Sequence, residues 1–302
     1  MKNNVIEVKK VFKYYGEVLA VDGITLTVLK GETLGLIGHN GAGKSTLFKM
    51  MLGLIPPTSG EIYINDTPVH GSAFRELRRS IGYLPENVVF YDNLTGLETL
   101  QFFAALKGCK PDTSLPLLEK VGLAHAAYRR VDSYSKGMRQ RLGFAQALLG
   151  NPRILFLDEP TTGLDPEAIR EFYSILHDLN AQGVTVVITS HILSEIQERV
   201  QRLAVLKSGK LHASGTVQEL RESVNLPLII NIKQRCSSDI LQQVLQGAAL
   251  EELIIGDHTA TLRCHRSYKM EVLRRLSTLG DALEDVVVKE PTLEDVFLGY
   301  AG

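Results

Sequence analysis

The chain has 302 residues, 44% of them hydrophobic and 22% charged, with a formal net charge of −1. That length suits one large domain or two smaller ones with a sizeable core, and the balanced charge lacks the electrostatic footprint of a nucleic-acid binder. The cysteines, Cys109, Cys236 and Cys264, lie far apart without a CxxC pair, as expected of a reducing, cytosolic compartment.

MKNNVIEVKK has no apolar core of signal-peptide length. Apolar stretches such as VTVVIT at 184–189 fall far short of the roughly 18 residues that suggest a membrane span. Any membrane role is therefore expected to depend on another chain.

In chain order, Val5–Val8 and Ile24–Val28 alternate like strands joined by loops containing Gly16 and Gly23. Thr33–Ile37 (TLGLI) reads as a buried strand and Lys44–Leu54 as a helix. Pro56-Pro57 and Ser59-Gly60 end that helix, and Glu61–Ile64 resumes a strand. Residues 96–150 are mostly helical in pattern. Ile154–Leu157 is a second buried strand, followed by a helix over about 166–181 and the strand 184–189. All-apolar strands alternating with helices predict an α/β fold with a mainly parallel, doubly wound sheet.

The pattern changes near 222. It then reads strand Leu228–Ile232, helix Ser238–Gln246, strand Leu250–Ile255, strand Thr259–Cys264, helix Tyr268–Leu279 and strand Leu283–Val288. That is the order of a small α+β, ferredoxin-like unit. The expected division is 1–221 and 222–302, with a helical subdomain over about 87–150.

GHNGAGKS, Gly38–Ser45, fits G-x-x-x-x-G-K-[ST] between a strand and a helix. Gly38, Gly41 and Gly43 permit backbone angles closed to other residues, so successive N–H groups can form an anion nest capped by the positive end of the helix. Lys44 would reach the β- and γ-phosphates, and Ser45 would offer a hydroxyl to Mg²⁺. Asn40, Ala42 and Thr46 complete the expected phosphate-contacting set. In ILFLDEP, four apolar residues carry Asp158 and Glu159 to the C-terminal end of a strand, where ligands sit in open α/β sheets. Asp158 would hold Mg²⁺ through water, and Glu159 would act as general base toward the attacking water.

These motifs and their order resemble the ATP-binding subunits of ABC transporters over about residues 4–220. The resemblance implies a P-loop nucleotide-binding domain with a helical subdomain, ATP and Mg²⁺ as cofactors, and ATP hydrolysis. Tyr15 is similar to the aromatic that stacks on adenine, with Tyr14 as the alternative. YSKGMRQR at 134–141 occupies the signature position, TTGLD at 161–165 looks like the D-loop with Asp165 at its acidic position, and His191 in TSH looks like the switch histidine. Two such chains would pair head to tail, with each ATP between the phosphate loop of one and the signature helix of the other, at Ser135, Lys136 and Gly137. Mg²⁺ would be held at Ser45, Glu86 and Asp158; Glu159, His191 and Lys44 would carry the chemistry.

Four residues depart from the family pattern. Glu86 replaces the family's glutamine after GYLP, and its carboxylate would bind Mg²⁺ more strongly while repelling the γ-phosphate. In the signature, Tyr134 replaces leucine and Met138 replaces glutamine. Lys136 replaces the first glycine, placing a cation at a helix N-terminus. GYLPEN, YSKGMRQRLGFAQALLG and PTLEDVFLGYAG resemble the ABC-2-type exporter branch. GHNGAGK, GYLPENVVFY, VGLAHAAYRRV and YSKGMRQRL look like the ATPases of the copper-related ABC system that helps mature nitrous-oxide reductase.

That likeness implies a peripheral protein on the cytoplasmic face of the inner membrane. Its implied partners are a membrane permease on another chain, a periplasmic component and a copper or sulfur cargo, with no nucleic acid. A drug- or lipid-type ABC-2 exporter is the alternative, and a soluble ABC ATPase of DNA repair or translation the rival from another class. The family places the permease's coupling helix near 86–98, where Val88, Val89, Phe90 and Tyr91 form an apolar run expected at a surface; Phe90 and Tyr91 carry most weight. Packing inside the helical subdomain is the other reading. In the tail, Cys264 and His265 point to opposite strand faces, so no metal site is expected there.

Overall fold

The computed structural model describes residues 4–223 and 227–290. The ending PTLEDVFLGYAG lies outside them. The chain divides into two compact units, the first running to Val217 and the second beginning at Gln218.

The first unit runs β1 (Asn4–Tyr15), β2 (Val18–Leu29), β3 (Thr33–Ile37), α1 (Lys44–Met51), β4 (Ser59–Ile64), β5 (Thr67–Pro68), α2 (Ser72–Leu77), β6 (Ile81–Leu84), α3 (Gly96–Lys107), α4 (Ser114–Lys120), α5 (Lys136–Leu148), β7 (Ile154–Asp158), α6 (Pro166–Ala181), β8 (Thr185–Ser190), α7 (Leu193–Ile196), β9 (Arg202–Lys207) and β10 (Lys210–Thr216). One sheet has the order β10-β9-β3-β8-β7-β6, parallel from β9 through β6 with β10 antiparallel at its edge. Every residue of β3, β7 and β8 is buried, because elements cover both faces of a parallel sheet; hence their apolar middles, with Thr33, Asp158, Thr185, Thr189 and Ser190 as buried polar residues toward the strand ends.

The sequence predicts one mainly parallel sheet here, but the described residues of the first unit form two. β1, β2, β4 and β5 form a separate antiparallel sheet of order β2-β1-β4-β5. Gly23 is not in a connecting loop. It lies within β2 at φ 63°, in a stretch where the β1–β2 register shifts, and a Cβ there would come within 3.1 Å of the Phe12 ring. The β9–β10 hairpin also escaped the sequence reading, although its Ser208-Gly209 turn, with both residues at positive φ, is a recognisable cue.

Caps set the helix ends. Thr95 and Glu98 form a capping box on α3, whose C-terminus is closed by left-handed Gly108. Asp165 caps α6 by accepting from Ala168 N at 2.8 Å, with Pro166 in the first turn. Ser135 caps α5 by accepting from Met138 N at 3.2 Å.

The second unit begins with α8 (Val217–Ser223) at its boundary and continues β11 (Leu228–Gln234), α9 (Ser238–Leu245), β12 (Glu252–Ile255), β13 (Thr259–Cys264), α10 (Lys269–Ser277) and β14 (Leu283–Lys289). Its sheet is antiparallel with the order β12-β13-β11-β14, which is the ferredoxin-like βαββαβ arrangement. Leu228, Ile230 and Ile232 pack with Leu241, Leu262, Val272 and Leu276 in its core.

Candidate functional site

The site grows from the strand order. β8 lies between β3 and β7, so the loops leaving the C-terminal ends of all three strands are neighbours. Ile37 pairs with Ser190, and Asp158 pairs with Thr189. The phosphate-type loop, the Asp158-Glu159 pair and His191 are thereby gathered at one edge, although they stand far apart in sequence.

The loop from β3 to α1 is close-packed. A Cβ on Gly38 would come within 2.4 Å of Leu206 O, and one on Gly43, at φ 97°, within 2.6 Å of Ala20 O. Gly41 also has positive φ, but with open space around it. Lys44 is buried at the start of α1, and its Nζ donates to the carbonyl oxygens of Gly38 and His39. Burial pulls the Lys44 ammonium below the usual lysine range, against the carboxylates of Glu159, Asp158 and Glu86, which favour its charge.

At the end of β7, Asp158 is buried. Thr189 donates its hydroxyl to Asp158 Oδ1 at 2.6 Å and accepts from Glu159 N at 2.9 Å. Burial raises the Asp158 carboxyl above the usual range; the Thr189 bond opposes this, and nearby Glu86 and Glu159 add to it. Glu159 has φ 47°, a left-handed conformation uncommon for a non-glycine residue. Its Oε2 lies 2.7 Å from His191 Nδ1. Tyr83, behind the pair, is pushed up to about 12, first by burial and then by Asp158 and Glu86.

A cavity of about 540 Å³ opens over these groups. Asn40, Gly41, Ala42, Gly43, Lys44, Ser45 and Thr46 line it, with Tyr15, Glu86, Glu159 and His191. Tyr15 is half exposed at 49% and thus available as a stacking platform; Tyr14, equally exposed at 46%, is not among the lining residues. Gly38 and Asp158 are buried and are not among the lining residues.

Ser135, Lys136, Gly137 and Asp165 do not line the cavity. Ser135 and Lys136 are exposed, and Asp165 is engaged as a helix cap. Sequence reading missed Thr189, although it stands in the TSH motif, and Thr162, Ser208 and Gly209 in the wall. It also missed Gln140, whose amide reaches Pro160.

Ser45, Glu86 and Asp158 offer only hard oxygen donors beside a loop shaped for phosphate, which fits Mg²⁺. Among the described residues, no group of three or more His, Cys, Asp or Glu could cage a metal. A magnesium ion here would complete its shell with phosphate oxygens and water.

The apolar run beyond Glu86 is split. Phe90, expected at the surface, is buried at 8% exposure and packs edge-on against Phe103 at 6.0 Å. Val88 is half-buried, facing α5 near Gly143. The exposed residues are Val89 at 85% and Tyr91 at 59%, with Tyr91 edge-on to exposed Phe102. Strand alternation does not govern this loop, so sequence could not tell which apolar residues turn inward.

The ABC transporter family matches residues 21–162. The bacitracin transport ATP-binding protein BcrA of Bacillus licheniformis is 41% identical over 307 residues, covering 99% of this chain and 98% of BcrA. The chain belongs to the ABC transporter family, as an ATP-binding subunit. The family's ATP-binding cassettes hydrolyse ATP. ATP-binding cassette sub-family A member 2 of Rattus norvegicus is 33% identical over 316 residues; the alignment takes in 99% of this chain but only 13% of that protein. Among solved structures, the cassette MJ0796, described as dimeric in a post-hydrolysis state with ADP and Pi, superposes with a TM-score of 0.65 at 28% identity, over 70% of this chain and 98% of that one. No helix of this cassette, among the described residues, is long and apolar enough to cross a membrane.

Proposed function

We propose that the chain is the ATP-hydrolysing subunit of an ABC transporter of the exporter branch, working as a head-to-tail homodimer on a separate membrane permease. The observation that carries this is the cavity in which Lys44, Glu159 and His191 meet the phosphate loop, while exposed Ser135 and Lys136 stand outside it. A γ-phosphate held by the loop of one copy meets the α5 N-terminus of the other. ATP then binds the closed pair better than the open one, and the population shifts toward closure.

Lys44 neutralises phosphate charge. Glu159 takes a proton from the water that adds to the γ-phosphorus as the bond to the ADP oxygen breaks, and His191 orients Glu159 and senses the γ-phosphate. Ser45, Asp158 and Glu86 would hold Mg²⁺, which would supply positive charge for the developing phosphoryl oxygens. Glu159→Gln keeps ATP binding, slows phosphate release roughly 10²-fold and accumulates dimer in size-exclusion chromatography. Turnover near that of the wild type would remove the general-base assignment.

The permease contacts the face around Val89 and Tyr91, with Val88 at its edge, on the cytoplasmic side of the inner membrane. Two cargo readings are open to test. Copper or sulfur delivery for nitrous-oxide reductase, with a periplasmic component, is supported by the four stretches that resemble that system. Drug-type export is supported by the end-to-end similarity to BcrA. Pull-down from native membranes with metal analysis separates them: a copper-bearing complex supports the first reading, and a metal-free six-helix permease supports the second.

A further inference from the structure

The loop that follows Glu159 is held from two sides. Toward the sheet, the N–H of Glu159 donates to Thr189 Oγ1 at 2.9 Å, at a backbone conformation (φ 47°) that a non-glycine residue keeps only when its surroundings enforce it. Toward the helical subdomain, Gln140 on α5 is buried at 5% exposure, and its Nε2 donates to Pro160 O at 3.0 Å. Pro160 is the residue directly after Glu159.

The same helix grips the loop further along. A Cβ on Gly137 would lie 3.3 Å from Gly163 O, and one on Gly163 would meet the Lys136 side chain at 2.7 Å. The loop's own closure, Thr162 N to Glu159 O at 3.2 Å, makes it a short rigid unit between these grips. An apolar side chain of similar size could fill the Gln140 position. The buried amide adds a directed bond to the carbonyl beside Glu159, and its loss leaves that carbonyl dry and unpaired.

We propose that Gln140 is a positioning residue for Glu159. It ties α5, whose first turn carries Ser135, Lys136 and Gly137, to the backbone of the base. Any shift of the α5 N-terminus on meeting a second copy is transmitted through Gln140 to Pro160 and hence to the direction of the Glu159 carboxylate. This rests on the reading of Glu159 as general base.

The test uses the full chain and measures steady-state ATP turnover from pH 6 to 8, with affinity for a fluorescent ATP analogue taken separately. Gln140→Glu is nearly isosteric. Ionised, it offers only acceptors to Pro160 O; protonated, it donates again. Its site is buried beside a carbonyl, so its carboxyl titrates above the ordinary carboxylate range. At pH 8, kcat falls roughly tenfold or more with KM and analogue affinity unchanged, and the ratio to wild type recovers as pH falls. Gln140→Leu, which can donate at no pH, loses kcat at every pH.

Wild-type kcat for Gln140→Glu at pH 8 would overturn the proposal, and so would a loss that stays constant across pH or appears in KM. Glu159→Gln run alongside separates the two failures. If it turns over like wild type, the base reading is at fault; if it is inactive while both Gln140 variants are normal, only the positioning role falls.

Discussion

His191 Nδ1 lies 2.7 Å from Glu159 Oε2, joining two residues 32 apart in sequence. The contact exists because β8 and β7 are adjacent parallel strands that end at the same level. His191 is the more exposed partner, at 49% of its side chain against 12% for Glu159. In the proposed function it stands at the rim, while Lys44 and the loop hold the phosphates. His191→Ala therefore lowers kcat roughly 10²-fold and leaves nucleotide affinity little changed. Phosphate release and titration of a fluorescent analogue check this, and equal losses in both would count against a role confined to chemistry.

Asp158 links the site to stability. Its folded carboxyl titrates above the unfolded value, chiefly through burial. A raised value means that folding favours the protonated form. The stabilisation is complete below the ordinary carboxylate range and is lost as pH rises through the folded value, so at neutral pH the ionised group is a cost. Asp158→Asn keeps an acceptor for Thr189 without ionising. In the absence of nucleotide and Mg²⁺ it melts above wild type at pH 7 to 8, and the gap narrows toward pH 5. Glu86→Gln removes a carboxylate that also raises Asp158, so it gives a smaller change of the same sign and shifts the Mg²⁺ dependence of turnover. Melting curves across pH that run parallel for all three proteins would refute this account.

Lys136 stands exposed in the first turn of α5, where the helix dipole disfavours a cation. In the single subunit, Lys136→Ala costs nothing and stabilises by up to about 0.5 kcal/mol. ATP-driven dimerisation weakens, because the charge that meets the partner's γ-phosphate in the proposed head-to-tail dimer is gone. Sedimentation with and without ATP, set beside monomer nucleotide affinity, reads both effects. Equal loss in both measurements would argue against a contact across the dimer.

The apolar run after Glu86 gives two opposite expectations. Val89→Glu and Tyr91→Glu change exposed side chains, so stability moves by less than about 0.5 kcal/mol, while co-purification with a membrane partner is lost. Phe90→Ala opens a cavity beside Phe103 and costs about 3–5 kcal/mol, with any loss of partner following from the unfolding. Chemical denaturation and membrane pull-down on the same samples distinguish them.

Much of this molecule is legible along the chain. Strands buried on both faces carry apolar runs, so the cores of TLGLI, ILFLD and TVVITS announce themselves, with their buried polar residues confined to the ends. A loop that must aim its N–H groups at phosphate needs glycines, a lysine and a hydroxyl at fixed offsets, so GHNGAGKS is local information. The βαββαβ order of the tail follows from its alternating pattern, read one element at a time.

Strand order and loop direction are not local. Nothing in the sequence states that β8 inserts between β3 and β7, yet that insertion brings Thr189 to Asp158 and His191 to Glu159. The separate antiparallel sheet, the inward turn of Phe90 and the reach of Gln140 to Pro160 are likewise choices of packing, made among residues that are equally apolar or equally polar in sequence. Sequence determined which groups are present for phosphate chemistry. Tertiary structure decided which of them meet, because burial and hydrogen-bond pairing are settled only when distant segments pack together.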